Sequence, residues 1–404
     1  MSRTLPRLRM DLDFMPSPVP DRPGLLIRDP YRYSDTTLIV PPPLTACLQL
    51  FDGKSTELDV RELLVRITGS IDVGDVVTHL VNTLESAGFV QNEVFEGMVE
   101  ERHREFAAAP QRDSVHAGSA YPDDPLELRR LLAGWMDGEC ADEHGSLAGI
   151  AAPHVSPEGG WQSYRAAFGA LAPDHADRTF VVLGTSHYGE PDRFGLTRKS
   201  YVTPYGATGT DAALVEELMA KAPDAVIMED YCHSFEHSIE FQVVFLQHLF
   251  GPQVRVVPIL CGSFARSIYE GGMPEDNQDL ARFFDVLGEI NAREGRRLLY
   301  VLGVDMAHMG RRYGDAEPMI ADDGPMLEVA ERDRARIGSI NAGDAPAYWA
   351  QVQENRDDLK WCGSAPFYTF LKTMPGVRGR LRRYEQWNID EQSVVTFAGM
   401  SFQA

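Results

Sequence analysis

One stretch limits the possible folds of this chain more than any other. From Arg178 to Tyr188 it reads Arg-Thr-Phe-Val-Val-Leu-Gly-Thr-Ser-His-Tyr. Phe180 to Leu183 is an unbroken apolar run with two adjacent β-branched residues, which suits a strand buried on both faces. Polarity then returns abruptly, and His187 stands where a parallel strand would end, at the edge where open α/β sheets place their ligands. A lone histidine after a strand is more often a structural residue. Here the pattern recurs.

Leu147 to Ala152 is a second apolar run, and it leads directly into Pro153-His154. A helix expected over Trp161 to Leu171 makes the crossover, so the two strands form a right-handed βαβ unit with both histidines on one edge. Further on, a strand at Ala225 to Met228 precedes Tyr231-Cys232-His233-Ser234-Phe235-Glu236-His237-Ser238-Ile239-Glu240, expected to open an amphipathic helix running through Leu249. That helix would hold Glu236, His237 and Glu240 within about one turn, and His233 would share the face of His237 if the helix began early. Val254 to Leu260 and Leu298 to Val304 are two more buried strands, the second followed by Asp305, Met306, Ala307 and His308. His154, His187, His237 and the Asp305/His308 pair therefore point to one crevice. Independent loops rarely converge polar groups at one sheet edge without function. Neutral imidazoles with one or two carboxylates suit a divalent first-row metal, and two histidines plus a carboxylate suit non-haem iron.

Charge narrows the partners. Asp plus Glu number 60 against 38 Lys plus Arg, a formal −22 that repels phosphate backbones and anionic lipids, so neither nucleic acid nor a membrane is expected. No run approaches a membrane span, and the first residues lack the apolar core of a signal peptide. The five cysteines, Cys47, Cys140, Cys232, Cys261 and Cys362, are odd in number and scattered. Reduced thiols in a cytoplasmic protein are expected.

The chain is long enough for more than one domain. Residues 1–24, rich in proline and charge, read as an extended arm. Residues 25–97 read as a small winged-helix-like α+β module. Its strands are expected at Leu25 to Ile27 and Thr37 to Val40, its helices at Leu44 to Phe51, Leu58 to Ile67 and Asp72 to Ala87, and a closing strand at Phe89-Val90. The third helix has no Lys or Arg, which argues against DNA contact. Residues 98–114 read as a solvated linker helix, and residues 115–404 as an α/β domain. In a helix expected over Met326 to Ile340, Glu331, Arg332, Asp333 and Arg334 read as a solvated face.

Two resemblances follow from these residues. Leu50-Phe51-Asp52-Gly53, Leu63-Leu64, Val76-Val77, Leu80-Val81 and Gly88-Phe89-Val90 resemble the PqqD-like family, which implies a module that docks a peptide or a partner protein. Ala117-Gly118-Ser119-Ala120-Tyr121-Pro122, Ala152-Pro153-His154, Leu183-Gly184-Thr185-Ser186-His187, Glu236-His237-Ser238-Ile239-Glu240, Val257-Pro258-Ile259-Leu260-Cys261-Gly262, Asp305-Met306-Ala307-His308 and Trp361-Cys362-Gly363 occur in the order seen in the MEMO family. The prokaryotic branch it resembles is the B component of the AmmeMemoRadiSam system. The resemblance implies a class III extradiol dioxygenase-like fold, iron(II) with copper or zinc as alternatives, and radical SAM or AMMECR-type partner proteins. It puts His154 and His187 on metal-ligand positions and His237 on that of a ligand or acid/base. Where some members carry a metal-binding cysteine this chain has Ala307, so Asp305 or His308 is left to complete the set. Val155-Ser156-Pro157 also departs from the Ala-Gly-Tyr common in the family, on the substrate side of the pocket.

The expected function is a metal-dependent, dioxygenase-like or redox enzyme acting on an aromatic or peptide-borne substrate. His237, oriented by Glu236 or Glu240, would move a proton. The alternative is a catalytically silent protein that binds a peptide or partner through the same crevice and the N-terminal module. Hydrolysis with Cys261 or Cys362 as nucleophile is a third and weaker reading, since nothing adjacent supplies a base.

Overall fold

A computed structural model describes residues 3–137 and 147–404, and Cys140 lies outside them. The chain divides into two units, Met1–Ala108 and Ala109–Ala404.

The first unit carries an antiparallel sheet of Asp13–Pro16, Leu25–Arg28 and Thr37–Val40, in that order. Helix Glu57–Thr68 starts at a capping box, where the Thr56 N–H donates to the Asp59 carboxylate at 2.7 Å, and stops at Gly69 with φ +72°. Helix Gly74–Ser86 follows, close to its expected span. The expected Leu44 to Phe51 helix is instead a turn of α-helix at Pro42–Thr45 running into a 3₁₀ segment at Ala46–Leu50.

Two expectations about this unit are corrected. Residues 1–24 are not a free arm: Leu5, Leu8 and Leu12 are buried in the core with Ile27, Val60 and Leu84, and the Asp13–Pro16 strand joins the sheet. Arg9, only 1% exposed, donates to Asp29 and to the Gly88 carbonyl, and its guanidinium lies 3.9 Å from the Phe95 ring centre. The expected linker helix is Glu93–Ala108, which belongs to the first unit and buries Phe106. Gln111–Arg112 already pairs as a strand with Ser200–Thr203 in the second unit.

The second unit is built on a ten-stranded mixed sheet. Its centre is parallel, in the order Arg255–Cys261, Thr179–Thr185, Leu298–Gly303, Leu147–Ala152. Phe194–Leu196 flanks one side antiparallel, and on the other Ser393–Gln403 pairs antiparallel with Leu147–Ala152 and with the long Arg378–Asp390 strand. The Thr179–Thr185, Leu298–Gly303 and Leu147–Ala152 strands are buried along their whole length, as continuous apolar runs require.

Alternation along Leu298–Gly303 assigns the layers. Tyr300 faces helix Ser364–Thr373, its ring 5.3 Å from Phe370. Gly303, of opposite parity, faces the segment leading into helix Glu240–Phe250. There Phe245 stacks on Tyr164 of helix Pro157–Phe168 at 4.4 Å. Gly303 and Gly184 are register partners, and both need to be small. A Cβ at Gly303 would sit 2.1 Å from the Ser238 carbonyl oxygen, and one at Gly184 2.6 Å from Ser238 Oγ. Two glycines side by side thus let residues 236–239 settle on the sheet's carboxyl edge.

No helix among the described residues is long and apolar enough to cross a membrane.

Candidate metal centre

Three adjacent parallel strands each deliver a polar residue just past their ends: His154 after Leu147–Ala152, Asp305 after Leu298–Gly303 and His187 after Thr179–Thr185. His237 reaches the same place from the segment admitted by the two glycines. His154, His187 and His237 each offer a ligand atom, and these atoms lie within 4.8 Å of one another. The His187 and His237 rings stack at 4.9 Å, and His154 meets them edge-on at 4.9 and 5.0 Å. This group could hold a metal ion.

The hydrogen bonds determine which nitrogen is offered. His154 Nδ1 lies 2.9 Å from the Gly303 carbonyl oxygen, which can only accept, so Nδ1 carries the proton and Nε2 presents its lone pair. His187 Nδ1 lies 3.0 and 3.1 Å from the two Glu236 oxygens, which leaves Nε2 as the nitrogen turned away from that carboxylate. Glu236 is fully buried and also accepts the backbone N–H groups of His187, His237 and Ser238 at 3.0, 2.8 and 3.1 Å. His237 Nδ1 is 3.1 Å from Glu236 Oε1.

Burial and neighbouring charges act on these groups in different directions. Burial, reinforced by His187 and His237, pushes His154 well below the usual imidazole range and keeps it neutral. Burial also opposes charge on His187, but the Glu236 carboxylate and Cys362 outweigh it and raise His187 well above that range. Glu236 is held well below the ordinary carboxylate range, because His187 and His237 overcome its desolvation. Asp305 accepts the N–H groups of His154 and Val155 at 2.9 and 3.2 Å, with Oδ2 3.6 Å from His154 Nε2. Burial raises its carboxyl to about 7.

The remaining candidates have other contacts. His308 Nδ1 faces the carbonyl oxygens of Met306 and Lys360 at 2.9 and 3.1 Å, its ring packs edge-on to Tyr313, and burial lowers it to about 4. It is not one of the clustered histidines. Nor does His233 share a face with His237: it lies in a short 3₁₀ turn, Tyr231–Ser234, that stops before His237, and its ring bonds Tyr201 Oη at 2.7 Å and faces the Gly195 carbonyl oxygen at 3.0 Å. Helix Glu240–Phe250 begins only at Glu240, which leaves Glu236 and His237 ahead of it. Glu240 is not the orienting carboxylate. It is fully buried against Arg112 and Tyr121 Oη, and accepts the N–H groups of Val115 and His116 at 3.3 and 3.0 Å.

Sequence reasoning gave Arg112 no role here and offered Cys362 only as a weak nucleophile, without linking it to the histidines. Arg112 donates to the carbonyls of His233 and Glu236 at 2.8 and 2.9 Å, tying down the backbone on both sides of Phe235. Cys362 places Sγ 3.2 Å from His154 Nε2. So a thiol does reach the cluster, from the loop before helix Ser364–Thr373 rather than from the position of Ala307. Gly363 permits this, since a Cβ there would lie 2.7 Å from the Asp305 carbonyl oxygen. Burial raises the Cys362 thiol, against a hydrogen bond to His187. Cys261 is buried and its thiol is pushed far up. A cavity of about 370 Å³ opens beside His187 and Cys362, walled by Cys261, Phe264, Tyr269 and Trp361 among others.

The chain is similar to known proteins over most of its length. The Memo-like protein family model matches residues 112–401. A MEMO1 family protein of Aquifex aeolicus is 27% identical over 381 residues, covering 93% of this chain and 95% of that protein. One from Thermococcus kodakarensis is 30% identical over 252 residues, covering 61% and 81%. One from Methanopyrus kandleri is 24% identical over 316 residues, covering 72% and 99%. The fold, the ordered motifs and the matched family model agree, and the chain belongs to the Memo-like protein family.

Proposed function

We propose that the second unit is a metal-dependent redox enzyme in which His154, His187 and His237 hold a first-row divalent ion, iron(II) ahead of copper and zinc. One observation carries this reading: in both His154 and His187, Nδ1 is bonded to a protein acceptor and Nε2 is turned toward the shared point. Imidazole nitrogens with a thiol beside them are donors such ions accept. A bound ion of this kind supplies one-electron chemistry or Lewis acidity.

The chain's own groups would do the rest. Glu236 fixes the orientation of His187 and His237, while Asp305, titrating near neutrality beside His154 Nε2, holds or moves a proton at Oδ2. The cavity beside His187 and Cys362 admits the substrate, an aromatic or peptide-borne group. Metal analysis of protein purified without chelator should find roughly one ion per chain, lost from a His154→Ala/His187→Ala double variant. Background iron, copper and zinc in both proteins would rule this reading out.

The first unit supports a second role, docking of a peptide or of a radical SAM or AMMECR-type partner in an AmmeMemoRadiSam-type system. It has a cleft of about 680 Å³ walled by Leu8, Phe14, Leu25 and Leu48, with Met10, 79% exposed, at the cleft. Peptide capture by the full chain should fall sharply in a Met10→Asp/Phe14→Asp variant. Equal capture by both proteins would count against this role.

A further inference from the structure

The cavity beside the histidine cluster has an asymmetric wall. Its charged lining residues besides His187 are Arg356, Asp357 and Lys360. Lys360 donates to Asp315 at 2.7 Å, Asp357 accepts from Arg336 at 2.7 Å, and His187 faces Glu236. Those three charges are matched. Arg356 is exposed and forms no hydrogen bond or ion pair among the described residues.

The backbone that presents Arg356 is unusual. Asn355, Arg356, Asp357 and Lys360 have φ of +51°, +57°, +54° and +54°, a region non-glycine residues seldom occupy unless their surroundings impose it. The surroundings do so: Leu359 is fully buried, the Asp357 and Lys360 side chains are anchored, and the Lys360 N–H bonds the Asp357 carbonyl at 2.7 Å. A strained but fixed turn thus holds one uncompensated guanidinium over the cavity. In a chain of net charge −22, an anion gains no help from the overall field and needs a local cation.

We infer that this cavity takes a small molecule bearing a carboxylate, which docks on Arg356 while the remainder of the molecule extends toward His187 and Cys362. This rests on reading the histidine cluster as the working site. A carboxylate matches the planar guanidinium fork in a bidentate pair. One unmatched cation balances one negative charge, whereas a phosphate dianion would leave an excess. At about 370 Å³ the cavity suits a compact ligand, and Phe264, Trp361 and Tyr269 offer aromatic walls.

The test compares 3,4-dihydroxybenzoate with 3,4-dihydroxybenzamide, titrated calorimetrically into the purified full chain. The two probes share any contact their ring hydroxyls make and differ in the charged group alone. The carboxylate should bind about ten-fold more tightly, the size of a charge-assisted pair. Arg356→Gln should abolish that preference and leave the amide's affinity unchanged, and Arg356→Lys should keep part of it. Equal affinities, no binding of either probe, or a preference that survives in Arg356→Gln would overturn the inference. Displacement of the amide by inorganic phosphate at concentrations where acetate fails would replace the carboxylate with a phosphate ester. Because the comparison cancels any contribution of metal, its failure leaves the metal analysis standing, and the converse holds.

Discussion

Glu236 and Glu240 lie one helical turn apart in sequence, and both are fully buried, yet they belong to opposite kinds of region. Around Glu240 the groups close on one another: Arg112, Tyr121 Oη and the N–H groups of Val115 and His116 converge on one carboxylate. Around Glu236 the network stays open. The carboxylate engages one nitrogen of His187 and leaves the other toward the cluster, where His154 does the same through Gly303. Buried polar groups whose bonding is complete hold a fold together, while buried polar groups with a common unfilled direction offer a site.

That contrast can be broken by substitution. Glu240→Ala would leave Arg112 buried without its partner, so unfolding free energy should fall by about 3–5 kcal/mol in denaturant titrations. A loss within experimental error would mean that water replaces the carboxylate and that the knot is not closed. Glu236→Gln should act chiefly on the open network, weakening metal binding about 10–100-fold in competition with a chelator. It should shift the unfolding midpoint less than Glu240→Ala does. The reverse ranking would exchange the two roles.

A smaller effect is expected at His308. Its ring is lowered to about 4 by burial, against an ordinary value near 6.5, so between those values the unfolded chain binds a proton that the folded chain does not. Its contribution is therefore complete above about 6.5 and declines as pH falls toward 4. In metal-free protein, the slope of unfolding free energy against pH over this window should be shallower in His308→Asn than in the parent. Identical slopes would place the proton uptake on other buried imidazoles.

Much of the site was legible in the chain because strand-end positions follow from local pattern. Unbroken apolar runs specify strands buried on both faces, and whatever follows a parallel strand arrives at the carboxyl edge, which located His154, His187 and Asp305. Longer-range features leave no such local pattern. Asp333 and Arg336 lie on the buried face of helix Pro325–Asn341, continuing the spacing of Met326, Val329, Ile337 and Ile340, although Asp333 reads as part of a solvated charge run. Asp333 accepts from Trp361 Nε1, Tyr384 Oη and Thr396 Oγ1 at 2.7, 2.8 and 2.7 Å. These partners come from three other segments, and no pattern within one helix announces them. The same holds for Arg9, which looked like part of a charged arm until Asp29 and Phe95 enclosed it.

The sequence by itself determined the central strands and which histidines stand at one edge, since these depend on hydrophobic period and on glycine and proline punctuation, whereas Leu298–Gly303 inserts between the two strands read as one βαβ unit. Only the tertiary structure decided that Glu236 rather than Glu240 orients the imidazoles and that Cys362, 208 residues beyond His154, brings the thiol to the cluster. Contacts between distant segments depend on packing geometry, and side-chain direction depends on where a helix begins. Helix Glu240–Phe250 begins only at Glu240, and Gly184 and Gly303 make room for residues 236–239 on the sheet edge.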